Sequence, residues 1–284
     1  MTDVAKRTAE QREYWGGAGG ERWVAQQARR DAMIGDFAEA ALVRAAPAAG
    51  ETVLDVGCGC GETAEVLARK VGATGKVVAV DISLPILTQA RQRLAGFGNV
   101  ETVLADASVQ PFEPASVDLL FSRFGVMFFA DPVAAFTNLR GAMKPDGRVV
   151  FVCWRSPAEN GWMTAPLSAT VRHLPPVTMT DPDQPGPFAF HDQAKVTDIL
   201  TRAGFAPPTF EKQDKMIDVA GGGGVEAAVR SAMELGPTAR GLDGAGNELR
   251  ASVAEALRGF FAPRVKDGAV ELPAATWIVS ASAA

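Results

Sequence analysis

Apolar and polar positions fall into blocks along this chain, and the period of each block says what it forms. Short β-branched or apolar runs at 52–56, 76–80, 100–105, 117–122 and 148–154 read as strands, the first of them suited to burial. Between them, 63–71, 85–95 and 132–143 carry apolar residues at helical spacing. This alternation predicts an α/β chain with a doubly wound, mostly parallel sheet and right-handed crossovers. Two further runs, 209–219 and 269–281, bring the expected sheet to seven strands. Ahead of the block, 1–44 is polar and helix-forming, and Gly16-Gly17-Ala18-Gly19-Gly20 interrupts it, so two helices are expected. The second carries Met33, Ile34, Phe37, Ala41 and Leu42 along one stripe, suited to packing on the sheet.

Past residue 155 the regular pattern stops. Seven prolines lie between 156 and 190, which predicts a loop-rich excursion with one helix around 163–173. Trp162, Leu174, Phe188 and Phe190 argue that it is ordered. A helix at 192–203 follows, then the glycine run 221–224 and two helical stretches, 225–235 and 247–261. The expected division is a helical cover (1–45), a ligand-binding core (46–155), a loop-rich lid (156–190), and a second part of the core (191–284) with a helical insertion at 221–268.

Composition narrows the function. The 284 residues carry a net charge of −5 with no basic run, so no electrostatic footprint for nucleic acid is present. No apolar run reaches the roughly 18 residues of a membrane span, and a soluble, cytoplasmic protein without a membrane partner is expected. Cys58, Cys60 and Cys153 are too few for a disulfide framework. Only His173 and His191 could join them at a metal, and neither has zinc-ligand spacing, so no metal is expected.

The chemistry centres on Glu51-Thr-Val-Leu-Asp-Val-Gly-Cys-Gly-Cys-Gly61. A strand that runs into Gly57, Gly59 and Gly61 and then a helix makes a cradle in which a ligand can lie against bare backbone. A dinucleotide fingerprint needs glycine where Glu62 stands, and a carboxylate there would repel a pyrophosphate. A P-loop needs Gly-Lys-Ser/Thr, but the chain has Gly61-Glu62-Thr63. An adenosyl ligand ending in an amino acid fits the loop better, and S-adenosylmethionine is such a ligand. Acids recur at the next strand ends, Asp81 and Asp106. Asp81 lies where an acid meets ribose hydroxyls in nucleotide-binding sheets.

Val53-Leu54-Asp55-Val56-Gly57-Cys58-Gly59-Cys60-Gly61, with Met143-Lys144-Pro145-Asp146-Gly147 before the fifth strand, resembles class I S-adenosylmethionine-dependent methyltransferases. The small-molecule, ubiquinone-biosynthesis-like branch is the nearest in pattern. The resemblance covers the chain through Trp154. It implies a Rossmann-like methyltransferase fold whose last two strands form an antiparallel hairpin at the sheet edge, and S-adenosyl-L-methionine as cofactor. By the same resemblance Asp81 takes the ribose hydroxyls, Asp106 and the Ala107 amide take the adenine, and Ile82 lies against its face. Gly57, Cys58 and Gly59 pass beneath ribose and methionine, Asp55 orients the loop or meets the ammonium, and Ser122 offers a carbonyl near it.

The acceptor is less defined. Arg123 and Trp154, at the ends of strands four and five, are expected to face the methyl group. Arg123 suits either an anionic acceptor or an ion pair with a nearby carboxylate. Tyr14, Trp15 and Trp23 are expected to cover the cofactor. His173, in the lid, is the candidate general base. The insertion at 221–268 serves either as a lid or as the interface of a homodimer. The partner is then a small organic molecule methylated at O, N, S or C. A binding module without turnover, or less readily a nicotinamide-dependent oxidoreductase, is the alternative.

Overall fold

The computed structural model describes residues 3–177, 181–182, 184–234 and 236–283. The strand-forming runs give β1 (Thr52–Val56), β2 (Lys76–Asp81), β3 (Val100–Leu104), β4 (Val117–Arg123), β5 (Met143–Trp154), β6 (Thr209–Asp218), β7 (Val265–Lys266) and β8 (Ala269–Ser282). Seven lie in one sheet in the order β3-β2-β1-β4-β5-β8-β6. Pairings from β3 through β5 are parallel, while β8 runs antiparallel to both β5 and β6. The expected hairpin of the last two long strands is present over ten residue pairs, from Thr209↔Ser280 to Asp218↔Glu271. An eighth, two-residue strand was not expected. β7 folds onto the start of β8 through Asp267 (φ 51°) and Gly268 (φ 82°), the two positive-φ positions that a tight hairpin turn requires.

Three helices, not two, precede β1: α1 (Asp3–Gly16), α2 (Ala18–Ala25) and α3 (Gln27–Ala45). Gly19 and Gly20, read as part of an interruption, are buried inside α2. They are there for close approach. A Cβ on Gly20 would lie 2.2 Å from the Trp15 carbonyl oxygen, and one on Gly19 would lie 2.6 Å from Tyr14. The core helices α4 (Glu62–Val71), α5 (Leu84–Leu94), α6 (Pro132–Ala142) and α8 (Gln193–Arg202) follow the predicted blocks. Ser83, Asp131 and Asp192 cap α5, α6 and α8 through side-chain oxygens. The turn 144–147 is absorbed into β5 as an irregularity, since Met143 pairs with Val117 and Arg148 with Leu119.

Side chains alternate across a strand, so Phe151 and Trp154 of β5 point to opposite faces. Phe136 of α6 meets Phe151 at 5.8 Å between ring centroids, and Phe37 of α3 meets Trp154 at 5.7 Å. Helices therefore cover both faces, as the continuous apolar strands require. Beyond β5 come α7 (Gly161–Thr170), and between β6 and β7 the insertion α9 (Gly224–Glu234), α10 (Gly236–Gly241) and α11 (Asn247–Phe261). The short α10 was not expected, and Leu235, the predicted end of the first insertion helix, lies outside the described residues. Among the described residues no helix is long and apolar enough to cross a membrane.

Candidate functional site

The chain builds β1, β2 and β3 outward to one side and then returns to lay β4 on the other side of β1. Such a reversal opens a crevice at the carboxyl ends of the strands. A cavity of about 750 Å³ lies there. One wall is the predicted cofactor set: Gly57, Cys58, Gly59, Asp81, Ile82, Asp106 and Ala107. The other carries Phe124, Trp154, Trp162, Met163 and Met233. Tyr14, Trp15 and Trp23 of the first two helices close it from above, where the aromatic cover was expected. Trp15 meets Trp23 at 5.7 Å and Phe128 at 5.4 Å, both edge to face.

The glycine loop is shaped by a second loop. Gly57 (φ 68°) lies so close to Gly125 that a Cβ on it would fall 2.8 Å from the Gly125 Cα. A Cβ on Gly125 would fall 2.6 Å from the Val56 carbonyl. Ser122 joins the two loops, its buried hydroxyl donating to the Val56 carbonyl (2.7 Å) and accepting from the Gly125 amide (3.2 Å). Ser122 is a brace and does not line the cavity. Next to it, Phe124 holds φ 62°, a left-handed conformation that a bulky residue adopts only when its surroundings force it. Its ring stacks on Trp154 at 4.2 Å and 11°.

Asp81 is bound to backbone at both oxygens. Oδ2 accepts from the Gly59 amide (3.0 Å) and Oδ1 from the Ser83 amide (2.9 Å). Burial pushes its carboxyl up to about 6 against the pull of those amides. Asp55 is fully buried beneath the loop, outside the lining. Its Oδ2 accepts from the Thr63 hydroxyl at 2.7 Å, while Oδ1 has no partner. Burial lifts this carboxyl to about 7. Asp106 holds its own turn, with Oδ1 accepting from the Ser108 amide (3.0 Å) and hydroxyl (2.5 Å), and Oδ2 pairs with Arg12 of α1 at 3.4 Å. The Cys58 and Cys60 thiols are free and buried, and burial raises both, Cys60 to about 12.

The acceptor-side expectations divide. Trp154 lies in the wall, between Phe124, Phe37 and Trp162. Arg123 also lines the cavity, but its guanidinium is held by Glu62 and by Asp31 (3.4 Å), so of its two readings the structure shows the ion pair. His173 is exposed, on the turn after α7, and is absent from the lining. His191 is turned to the Phe188 carbonyl at 2.9 Å. Sequence reasoning missed Arg30, in the first turn of α3, which lines the cavity with its guanidinium 4.0 Å from the Trp23 ring centroid. It also named no individual residue from the insertion, although Met233, Glu234, Ala239, Arg240, Asp243 and Arg250 line the cavity.

The arrangement fits an adenosyl ligand ending in an amino acid. A carboxylate has about four acceptor positions, and Asp81 uses two on backbone, leaving capacity for hydroxyls. The orphaned Oδ1 of Asp55, directly under the glycine loop, wants a donor. Glu62 opens α4 with a carboxylate, which disfavours a pyrophosphate at that helix end.

Residues 53–147 match the family model described as a methyltransferase domain. A demethylmenaquinone methyltransferase of Clavibacter sepedonicus is 39% identical over 112 residues, covering 39% of this chain and 44% of that protein. The chain spans less than half the length of the curated relatives it matches. Among solved structures, the YcgJ protein of Bacillus subtilis superposes with a TM-score of 0.57 at 16% identity, over 86% of this chain and 97% of that one. Geranyl diphosphate C-methyltransferase of Streptomyces coelicolor, solved with Mg2+, geranyl diphosphate and S-adenosyl-L-homocysteine, gives 0.50 at 15% identity, over 88% and 80%.

Proposed function

We propose, from the match of residues 53–147 to a methyltransferase-domain model, that these residues form a class I S-adenosylmethionine-dependent methyltransferase domain and that the whole chain methylates a small, partly apolar organic acceptor. The observation that carries this is the shared cavity, which has the motif acids on one wall and stacked aromatics on the other. Its volume of about 750 Å³ falls in the upper part of the roughly 300–1,000 Å³ typical of small-molecule sites.

When bound, S-adenosylmethionine supplies an electrophilic methyl on a sulfonium whose departing thioether is neutral. The protein then needs no acid for the leaving group. In this reading Asp81 accepts from the ribose hydroxyls and Ile82 packs on the adenine. Asp106 and the Ala107 amide meet the adenine edge once Arg12 gives way. Gly57 to Gly59 floor the ribose and methionine, Asp55 Oδ1 serves the loop or the ammonium, and Ser122, outside the lining, supports that end by bracing the Val56 carbonyl and the Gly125 amide. Phe124, Trp154 and Trp162 hold the acceptor by its apolar face. Positioning of this kind can supply most of a methyl transfer, since effective molarities reach about 10⁵ M or more. The lid role of 156–190 and 221–268 is supported by the lining residues both segments contribute. A general base from His173 has no geometric support.

The test is incubation of the protein with methyl-labelled S-adenosylmethionine and a metabolite extract, followed by mass spectrometry. A labelled product that vanishes with Asp81→Ala supports the proposal. Tight cofactor binding with no labelled product in any fraction would leave a binding module, and preferential binding of NADH would favour the oxidoreductase alternative.

A further inference from the structure

Five arginines line the cavity, and four have an evident place. Arg123 is paired with Glu62 and Asp31, Arg250 donates to the Leu242 and Ala245 carbonyls, and Arg22 and Arg240 are exposed. Arg30 differs. No oxygen among the described residues accepts from its guanidinium, and its Nε is buried with no partner. The head group rests on the Trp23 ring, and the Trp23 indole nitrogen is 3.9 Å from where a Gly59 Cβ would be. One ring thus separates this cation from the glycine loop. Burial draws the guanidinium down to about 10, the sign of a charge poorly compensated within the protein.

A half-buried guanidinium that meets a ring but no acceptor oxygen has donors to spare, and its planar shape takes a carboxylate through two parallel hydrogen bonds. The carboxylate whose charge acts on it, Glu234, is engaged by Gln26. We propose that Arg30 is a carboxylate-binding residue, its guanidinium forking onto the carboxylate of a ligand in the cavity. That carboxylate comes from the amino-acid end of the cofactor or from a carboxylic acid acceptor. The first source rests on the methyltransferase reading, and the second needs only the cavity.

The experiment is calorimetry on the full chain and on Arg30→Met with three probes. These are S-adenosylhomocysteine, its analogue lacking only the carboxylate, and benzoate, the last with and without the nucleoside. Loss of roughly 10- to 100-fold in S-adenosylhomocysteine affinity, with the decarboxylated analogue bound equally by both proteins, assigns Arg30 to the cofactor. Unchanged nucleoside affinity with benzoate binding abolished assigns it to the acceptor. Unchanged affinity for every probe overturns the proposal, and so does an equal loss for the nucleoside with and without its carboxylate, which would mean Arg30 only props Trp23. A wild-type protein that binds neither nucleoside counts against the methyltransferase reading, and benzoate alone then decides on Arg30. The ligand-free melting temperature adds a second readout: it rises in Arg30→Met if the charge awaits a ligand, and it falls if Arg30 is a packing element, a result that would also overturn the assignment.

Discussion

The two walls of the cavity are built on opposite plans. The wall that carries the glycine motif comes from one stretch, 57–107, and its acids are tied to the backbone of the loops they face, as Asp81 is to Gly59 and Ser83. The opposite wall gathers Phe124, Trp154, Trp162 and Met233 from segments far apart in the chain, and its rings hold one another. One wall is acidic and suits a ligand rich in hydroxyls and amines. The other is aromatic, and Arg30 lies apart from it, on Trp23 beside the glycine loop. On the proposed reading one wall takes the cofactor and the other selects the acceptor, and this predicts that damage to one wall spares the other.

Asp81 gives the largest expected effect. Hydrogen bonds to a charged group contribute roughly 1.5–3 kcal/mol each, and Asp81 also holds two loop amides. Asp81→Ala should weaken S-adenosylhomocysteine binding about 100-fold, and Asp81→Asn about tenfold. Calorimetry showing unchanged affinity would remove the acidic wall from cofactor binding.

The same carboxylate predicts a pH dependence. Ligand hydroxyls favour the ionised form, so affinity should be flat above about pH 7 and fall by about tenfold per unit below about 6. The ligand-free fold has the opposite sign. Its Asp81 carboxyl is raised above its ordinary value, so the stability this group contributes is complete below about pH 4 and is lost as pH rises through about 6. Cofactor should therefore raise the melting temperature more at pH 8 than at pH 5, and an equal rise at both would contradict the assignment.

On the aromatic wall, Trp162→Ala should reduce kcat/KM for the true acceptor about tenfold, within the range for losing a large apolar contact. Cofactor affinity should stay within about threefold, and parallel losses of both would show that the walls are one unit. The smallest effect belongs to His173. Being exposed and outside the cavity, it can be replaced by Ala with less than a twofold change in turnover, whereas a loss in the ~10²–10⁴ range of a general base would restore it to the chemistry.

Sequence and structure agree best where a residue's role depends on its place in a local motif. Asp81 ends β2 and Asp106 follows two residues after β3, both behind apolar runs that are plain in the chain. Arg30 was hidden because isolation is a property of three dimensions: its neighbour Arg29 looks the same in sequence and yet reaches the Val219 carbonyl. The burial of Gly19 and Gly20 depends on Trp15 and Ser83 arriving from other elements. Asp267-Gly268, by contrast, is a legible hairpin signal, missed because the strand it serves has only two residues. The positive φ of Phe124 has no mark in sequence; it lies next to Gly125, where the two loops meet at Gly57.

The position of β8 has a consequence for how this chain comes off the ribosome. It follows both β5 and β6 in the chain, yet it lies between them and is the neighbour on which β6 depends for all its pairing. Until residues 269–282 emerge, β5 presents an open apolar edge and β6 has nothing to join. The nascent chain can close β3-β2-β1-β4-β5 early, but it must keep that edge from other chains during translation of more than a hundred further residues. A chaperone that binds β5 peptides would act in that interval, before the sheet is complete.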